Sequence, residues 1–190
     1  MKEKKETEEE KESKIITIPN IMSLFRIVLI PFIVWNYGIG RRRIAFSLLV
    51  ISWLTDILDG QVARQFHMVS HLGKALDPLA DKLTQGFLLL TLISEFPVIK
   101  IPFLVFILVE AVMVATGILV IRRTGSTYSA SWHGKLATGM LDITVIFHII
   151  WQDIPAGFSS LLVSACIVLM LLSLLLYIIE NRKRIESVKG

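Results

Sequence analysis

The chain has 190 residues, 54% of them hydrophobic, and a mean hydropathy of +0.66. Its apolar residues come in long blocks instead of being interspersed with charge, which excludes an ordinary soluble domain. The net charge of +4 and pI near 9.3 then report membrane topology and contact with anionic lipid, not nucleic-acid binding.

Residues 1–14 (MKEKKETEEEKESK) mix lysine with glutamate and contain no apolar residue after Met1. Such a segment cannot bury surface and is expected to be a disordered cytoplasmic tail. The hydrophobic stretch that follows has acidic residues before it and no small-residue cleavage site after it, so it reads as a retained first helix and not a signal peptide.

A transmembrane helix needs roughly 20 largely apolar residues. Six segments are expected to span: Ile21 to Tyr37, Ile44 to Ala63, Gly73 to Phe96, Ile101 to Ile121, Leu136 to Trp151 and Phe158 to Ile179. The first carries Arg26, and the basic triplet Arg41, Arg42 and Arg43 separates it from the second. The second and third qualify only with their aspartate-bearing ends included, and those ends flank the Gln65 to Leu72 loop, which holds His67 and His71. These two histidines stand at i, i+4 spacing and read as solvent-facing loop residues or as a metal pair. Glu110 lies within the fourth span and Asp142 within the fifth, so both are expected to avoid lipid, through an ion pair with Arg26 or Lys135 or through duty at a binding site. Lys135 opens the fifth span beside His133, while His148 carries no specific signal. Cys166, the one cysteine, sits in the sixth apolar block; it excludes an intrachain disulfide and reads as a small core residue. Trp35, Trp53, Trp132 and Trp151 fall near span ends, where interfacial anchoring is the ordinary explanation.

The expected fold is thus an all-α integral membrane protein of six transmembrane helices. One domain covers 15–181, and a basic cytoplasmic tail follows over 182–190. Six spans put both termini on one side. Arg122, Arg123 and the tail residues Arg182, Lys183, Arg184 and Lys189 assign that side to the cytoplasm, against the Arg41–Arg43 triplet. The aspartate-bearing ends of the second and third helices then open to the cytoplasm.

Those ends read D-I-L-D-G-Q-V-A-R from Asp56, then eight residues, then G-K-A-L-D-P-L-A-D ending at Asp81. Residues three or four apart share a helical face, so Asp56 pairs with Asp59 and Asp77 with Asp81. Carboxylates at membrane depth are costly unless they face a cavity, pair with a cation or bind a metal. Four around one point suit a hard cation such as magnesium, manganese or calcium, and no Cys/His cluster argues for zinc. Two-metal sites of this kind serve phosphoryl transfer by clamping the attacking and leaving oxygens. Gly60 and Gly73 permit close approach of a ligand or of a second backbone, although either alone also reads as a helix-packing glycine. The fork of Arg64 suits a phosphate or carboxylate, although alone it also reads as a topology residue.

The whole pattern, Asp56, Asp59, Gly60, Ala63, Arg64, Gly73, Asp77 and Asp81, resembles the signature of the CDP-alcohol phosphatidyltransferases, membrane enzymes of phospholipid synthesis. The stretch Ile18 to Pro31 looks like the first helix of bacterial phosphatidylglycerophosphate synthases, and Gly134 to Thr138 shows a weaker likeness. The resemblance implies Asp56, Asp59 and Asp77 as ligands of a two-metal Mg²⁺ or Mn²⁺ site, with Asp81 near the second metal as general base. It implies Asp56, Gly60, Ala63, Arg64 and Gly73 along the cytidine diphosphate moiety. It also implies a homodimer in the cell membrane that moves a phosphatidyl group from CDP-diacylglycerol to a small alcohol, glycerol 3-phosphate above all, with release of CMP.

Two departures bear on the acceptor. Val109-Glu110 stands where such synthases usually have Arg-Glu, and Ala137 replaces the second lysine of G-K-x-K-T. Arg26, Arg122, Arg123 and Lys135 are then the cations left to hold an acceptor phosphate. A cardiolipin synthase with phosphatidylglycerol as acceptor is the sibling reading. A cation transporter with an aspartate-lined site is the alternative of another class; it explains the carboxylates but not the glycine and Ala63-Arg64 placement.

Overall fold

The computed structural model describes residues 17–65, 73–124 and 132–187, and among them there is helix but no strand. The expected tail over 1–14 and the loop histidines His67 and His71 lie outside the described residues. Six α-helices follow in chain order: α1 (Ile18–Gly38), α2 (Arg42–Gln65), α3 (Gly73–Leu92), α4 (Lys100–Thr124), α5 (Trp132–Ile150) and α6 (Ala156–Ser187), with a 3₁₀ turn at Pro97–Ile99. The chain divides into two compact units, Met1–Thr91 and Leu92–Gly190.

In the first unit, α1 starts on Thr17, whose extended backbone (φ −121°, ψ 155°) lets its hydroxyl accept from the Asn20 amide at 3.4 Å. Pro19 in the first turn has no N–H to leave unpaired. The helix closes on Gly40 at φ +78°: the Gly40 amide donates to the Tyr37 carbonyl and the Arg41 amide to that of Asn36. This left-handed closure satisfies the last carbonyls and turns the chain back within three residues. So α2 returns along α1. At the corner the Arg42 guanidinium lies 5.5 Å from the centre of the buried Tyr37 ring, which gives one member of the basic triplet a cation–π partner.

The buried face of α1 is Asn20, Ser23, Arg26, Ile30, Ile33 and Tyr37, polar in its first half and apolar in its second. On α2 the buried positions Ala45, Leu49 and Ser52 form a stripe that Asp56 continues, and on α3 Asp77 and Asp81 precede the buried Thr84, Gln85, Leu88 and Leu92. The pattern is the i, i+3, i+4 repeat of a helix with one packed face. Its polar ends are what bring the charged residues together.

In the second unit α6 packs against both α4 and α5. His148 of α5 donates from Nδ1 to the Thr144 carbonyl at 2.7 Å, so its Nε2 accepts from the Ser159 hydroxyl of α6 at 2.9 Å. Phe96 meets the same ring edge-on at 4.9 Å. At the other end of α5, His133 places Nδ1 2.9 Å from Ser173 Oγ and Nε2 3.5 Å from a Glu180 carboxylate oxygen. Tyr177 donates to the Met113 carbonyl at 3.3 Å across the α4–α6 seam. Gly117 makes room there: a β-carbon at that position would lie 3.2 Å from the Tyr177 hydroxyl.

Among the described residues three stretches are long and apolar enough to cross a bilayer: Asn20–Gly38, Pro97–Arg123 and Ala156–Glu186. Exposed leucines, isoleucines and valines coat their outer faces, among them Leu104, Leu108 and Val114 on α4 and Leu161, Val168 and Leu172 on α6. That coat belongs to a membrane protein. The helix ends differ from the expected span ends by four residues or more in three places, the first being α5, which begins at Trp132, four residues before Leu136. The expected span to Phe96 stops at Leu92, with Pro97 shortly beyond. The last helix runs through Ser187, so Arg182, Lys183 and Arg184 of the basic segment are helical; no proline or glycine interrupts the chain there before Gly190.

Candidate active site

The polar end of the first unit is built from three helices. α1 supplies Ser23 and Arg26, which share a face at i, i+3. α2 supplies Asp56, and α3 supplies Asp77 and Asp81. Arg26 Nη1 is shared between Asp81 Oδ1, at 2.5 Å, and Asp56 Oδ1, while Nη2 reaches Asp77 Oδ1 at 3.4 Å. Ser23 Oγ donates to the same Asp77 oxygen.

The burial is asymmetric. The Arg26 side chain is 2% exposed, whereas those of Asp56, Asp77 and Asp81 are 41%, 43% and 46% exposed. The guanidinium is therefore the floor of the cluster and the carboxylates its rim. A guanidinium stays protonated in proteins, so with all three acids ionised the cluster and Arg26 together carry a formal charge of two negative units. Each acid gives one oxygen to Arg26, and its second oxygen remains for a further cation. The donor set is all oxygen and already gathered around a positive charge, which fits a hard divalent ion. Among the described residues the acids do not close into a three-acid cage, because the guanidinium lies between them.

Asp59 is one turn along α2 from Asp56, and Gly60, Ala63 and Arg64 follow before that helix ends at Gln65. Gly73 is the first residue of α3. Their backbones thus continue the two motif helices toward the ends flanking the intervening loop, while their side chains lie outside the described set. Arg122 and Arg123 are exposed at the end of α4, and exposed Lys135 lies in the first turn of α5; all three belong to the second unit. Arg26, expected among the acceptor cations, pairs with the three carboxylates. Ser23 was not singled out from sequence, although its position three residues before Arg26 on an apolar helix was the signal available.

Beyond the acid cluster an apolar cleft of about 450 Å³ runs between α1 and α3, lined by Ile27, Ile30, Pro31, Val34, Trp35, Leu83 and Phe87. Ile27 follows Arg26, and Leu83 lies two residues past Asp81, so the cleft continues along the same two helices. Charge and hydrocarbon surface are adjacent.

Comparison with known proteins gives a consistent picture. The family model for CDP-alcohol phosphatidyltransferase matches residues 16–181. A probable cardiolipin synthase (CMP-forming) of Drosophila melanogaster is 43% identical over 88 residues, covering 46% of this chain and 27% of that protein. A CDP-diacylglycerol–glycerol-3-phosphate 3-phosphatidyltransferase of Rickettsia bellii is 36% identical over 88 residues, covering 45% and 49%. A probable phosphatidylglycerophosphate synthase of Mycobacterium tuberculosis is 28% identical over 169 residues, covering 83% and 78%. The chain thus spans about half the length of the rickettsial relative and about a quarter of the insect one.

Proposed function

The chain belongs to the CDP-alcohol phosphatidyltransferase family, whose members generally use a divalent metal, and we propose that it transfers a phosphatidyl group from CDP-diacylglycerol to an alcohol with release of CMP. The observation that carries this reading is the convergence of Asp56, Asp77 and Asp81 from two motif helices on one buried cation, with a residual negative charge and open carboxylate surface. The adjoining apolar cleft supports a lipid-linked donor. The match over nearly the whole chain leaves the transporter reading without support.

In this reading Asp56, Asp59, Asp77 and Asp81 hold two Mg²⁺ or Mn²⁺ ions, which when bound neutralise charge on the diphosphate. Asp81 takes the proton of the acceptor hydroxyl. The freed oxygen forms a bond to the lipid-linked phosphorus, and the bond from that phosphorus to the CMP oxygen breaks, CMP leaving with the electron pair. Gly60, Ala63, Arg64 and Gly73 line the cytidine diphosphate.

Glycerol 3-phosphate is the acceptor we propose, held by Arg122, Arg123 and Lys135; the names of the rickettsial and mycobacterial relatives support it. Phosphatidylglycerol is the second reading. It is favoured by Val109 and Ala137, which are buried apolar residues where acceptor-binding cations are expected, and by the name of the insect relative. Incubating purified protein with CDP-diacylglycerol and each alcohol, then identifying the lipid formed, decides between them. Formation of neither phosphatidylglycerophosphate nor cardiolipin defeats both.

Six spans, both termini and the aspartate site on the cytoplasmic face of the cell membrane, and a homodimer complete the proposal. Single cysteines placed in the 65–72 loop of a Cys166→Ala protein are expected to resist impermeant thiol reagents added outside intact cells. Ready labelling inverts the topology.

A further inference from the structure

We infer that Arg26 is the positioning residue of the carboxylate cluster: a permanent internal cation that gathers acids from α2 and α3 onto α1 and sets how strongly the site attracts a divalent ion. A guanidinium shielded to 2% exposure must be paired, because an uncompensated buried charge is strongly destabilising. The pairing here is divided. One nitrogen, Nη1, is shared between Asp56 of α2 and Asp81 of α3, and Nη2 turns to Asp77. A planar fork holds these contacts in a fixed geometry, whereas an ammonium on a flexible stem gathers its three donors at one point.

Two consequences follow. Without Arg26, Asp56, Asp77 and Asp81 face one another across two helices with nothing fixed between them, and their repulsion opposes folding of the motif ends. With it, one unit of the cluster's negative charge is offset, and any added divalent ion feels the repulsion of the guanidinium a few ångströms below. Arg26 therefore exchanges metal affinity for a preformed site. It belongs to the scaffold of the acids.

The test uses full-length protein in detergent. Thermal unfolding is followed in chelator and with Mn²⁺, and bound Mn²⁺ is counted by the loss of its free-ion magnetic resonance signal. Arg26→Gln is expected to melt on the order of 10 °C lower than wild type in chelator and to recover most of that loss with Mn²⁺. It is also expected to bind Mn²⁺ at least about tenfold more tightly, because a neighbouring like charge has gone. Arg26→Lys keeps the charge but not the fork, so its Mn²⁺ affinity stays near wild type while its melting temperature in chelator falls between the two. Equal melting in chelator, or unchanged or weaker Mn²⁺ binding by Arg26→Gln, overturns the inference. Should Arg26→Gln not accumulate as folded protein, its combination with Asp56→Asn and Asp81→Asn is expected to fold, since the repulsion is removed as well; failure there makes Arg26 a packing residue and overturns the inference too. The Mn²⁺ arm rests on the carboxylates being metal ligands. Wild-type protein that binds no Mn²⁺ defeats that reading, while the melting comparison in chelator still decides the role of Arg26.

Discussion

The two units bury polar side chains between helices in opposite ways. In the second, three buried polar groups meet neutral or singly charged neighbours at close range: His148 between the Thr144 carbonyl and the Ser159 hydroxyl, Tyr177 on the Met113 carbonyl, His133 between Ser173 and Glu180. In the first, one fully buried cation meets three half-exposed acids and leaves charge over. A satisfied neutral pair fixes helix register and does little else. An over-acidic cluster with open oxygens keeps room for a further cation, which is what the proposed metal site requires.

The comparison breaks most visibly at the rim acids. Asp56→Asn or Asp77→Asn is expected to lower metal-dependent CMP release by at least about 10³-fold, since a neutral amide cannot balance ion and diphosphate charge. Steady-state release from CDP-diacylglycerol measures it, and turnover within tenfold of wild type by either variant would put the site elsewhere.

Asp81 and Asp59 sharpen the distinction between base and ligand. Asp81→Asn is expected to slow turnover by about 10² to 10⁴ while donor affinity stays near wild type, the mark of a group used only in the transition state. Asp59→Asn is expected to weaken metal-dependent donor binding as well. Donor affinity and turnover across a metal titration separate them: recovery of Asp81→Asn to normal turnover at high metal concentration makes Asp81 a ligand, and the proton then leaves by another route.

The neutral pairs of the second unit predict stability effects without chemical ones. Ser159→Ala leaves His148 Nε2 without its donor and is expected to cost about 1–3 kcal/mol, read as a lower melting temperature with unchanged turnover per folded molecule. A loss of turnover at full stability would give that pair a part in the reaction. Gly117→Ala is the smallest change. The added methyl must displace the Tyr177 hydroxyl by a few tenths of an ångström, while alanine gains up to about 1 kcal/mol in helix propensity. The net effect is expected within about 1 kcal/mol, and it should become more favourable in a Tyr177→Phe background; an additive pair would show that the two residues do not touch in solution.

Much of this was legible in the chain, and for definite reasons. Apolar blocks of helical length foretold six helices, and the aspartate spacing foretold which ends of which helices carry charge. Composition alone spoke less clearly for α2, α3 and α5: Arg42, Arg43 and Asp56 in α2 and Lys82, Asp77 and Asp81 in α3 dilute their apolar runs, and among the described residues only α1, α4 and α6 belong to stretches with the length and hydropathy of a span. Helix ends were least legible where no breaker marks them, as in the run of α6 through the basic segment to Ser187. The destination of Arg26 was not legible. Its partners lie up to 55 residues away, and a cation near a span end has equal sequence claims to topology, acceptor and scaffold. Only the packing of α1 selects among them. Ser23 was passed over because a single serine on an apolar helix ordinarily satisfies its own backbone; its bond to Asp77 is tertiary.

The most direct measurement is CMP release from CDP-diacylglycerol by the purified wild-type protein, with an alcohol acceptor, in Mg²⁺ or Mn²⁺ and again in excess chelator. Release that requires both the divalent ion and the acceptor, and that vanishes in chelator, is what a carboxylate-held metal site for phosphatidyl transfer predicts. Release that continues undiminished in chelator would contradict it.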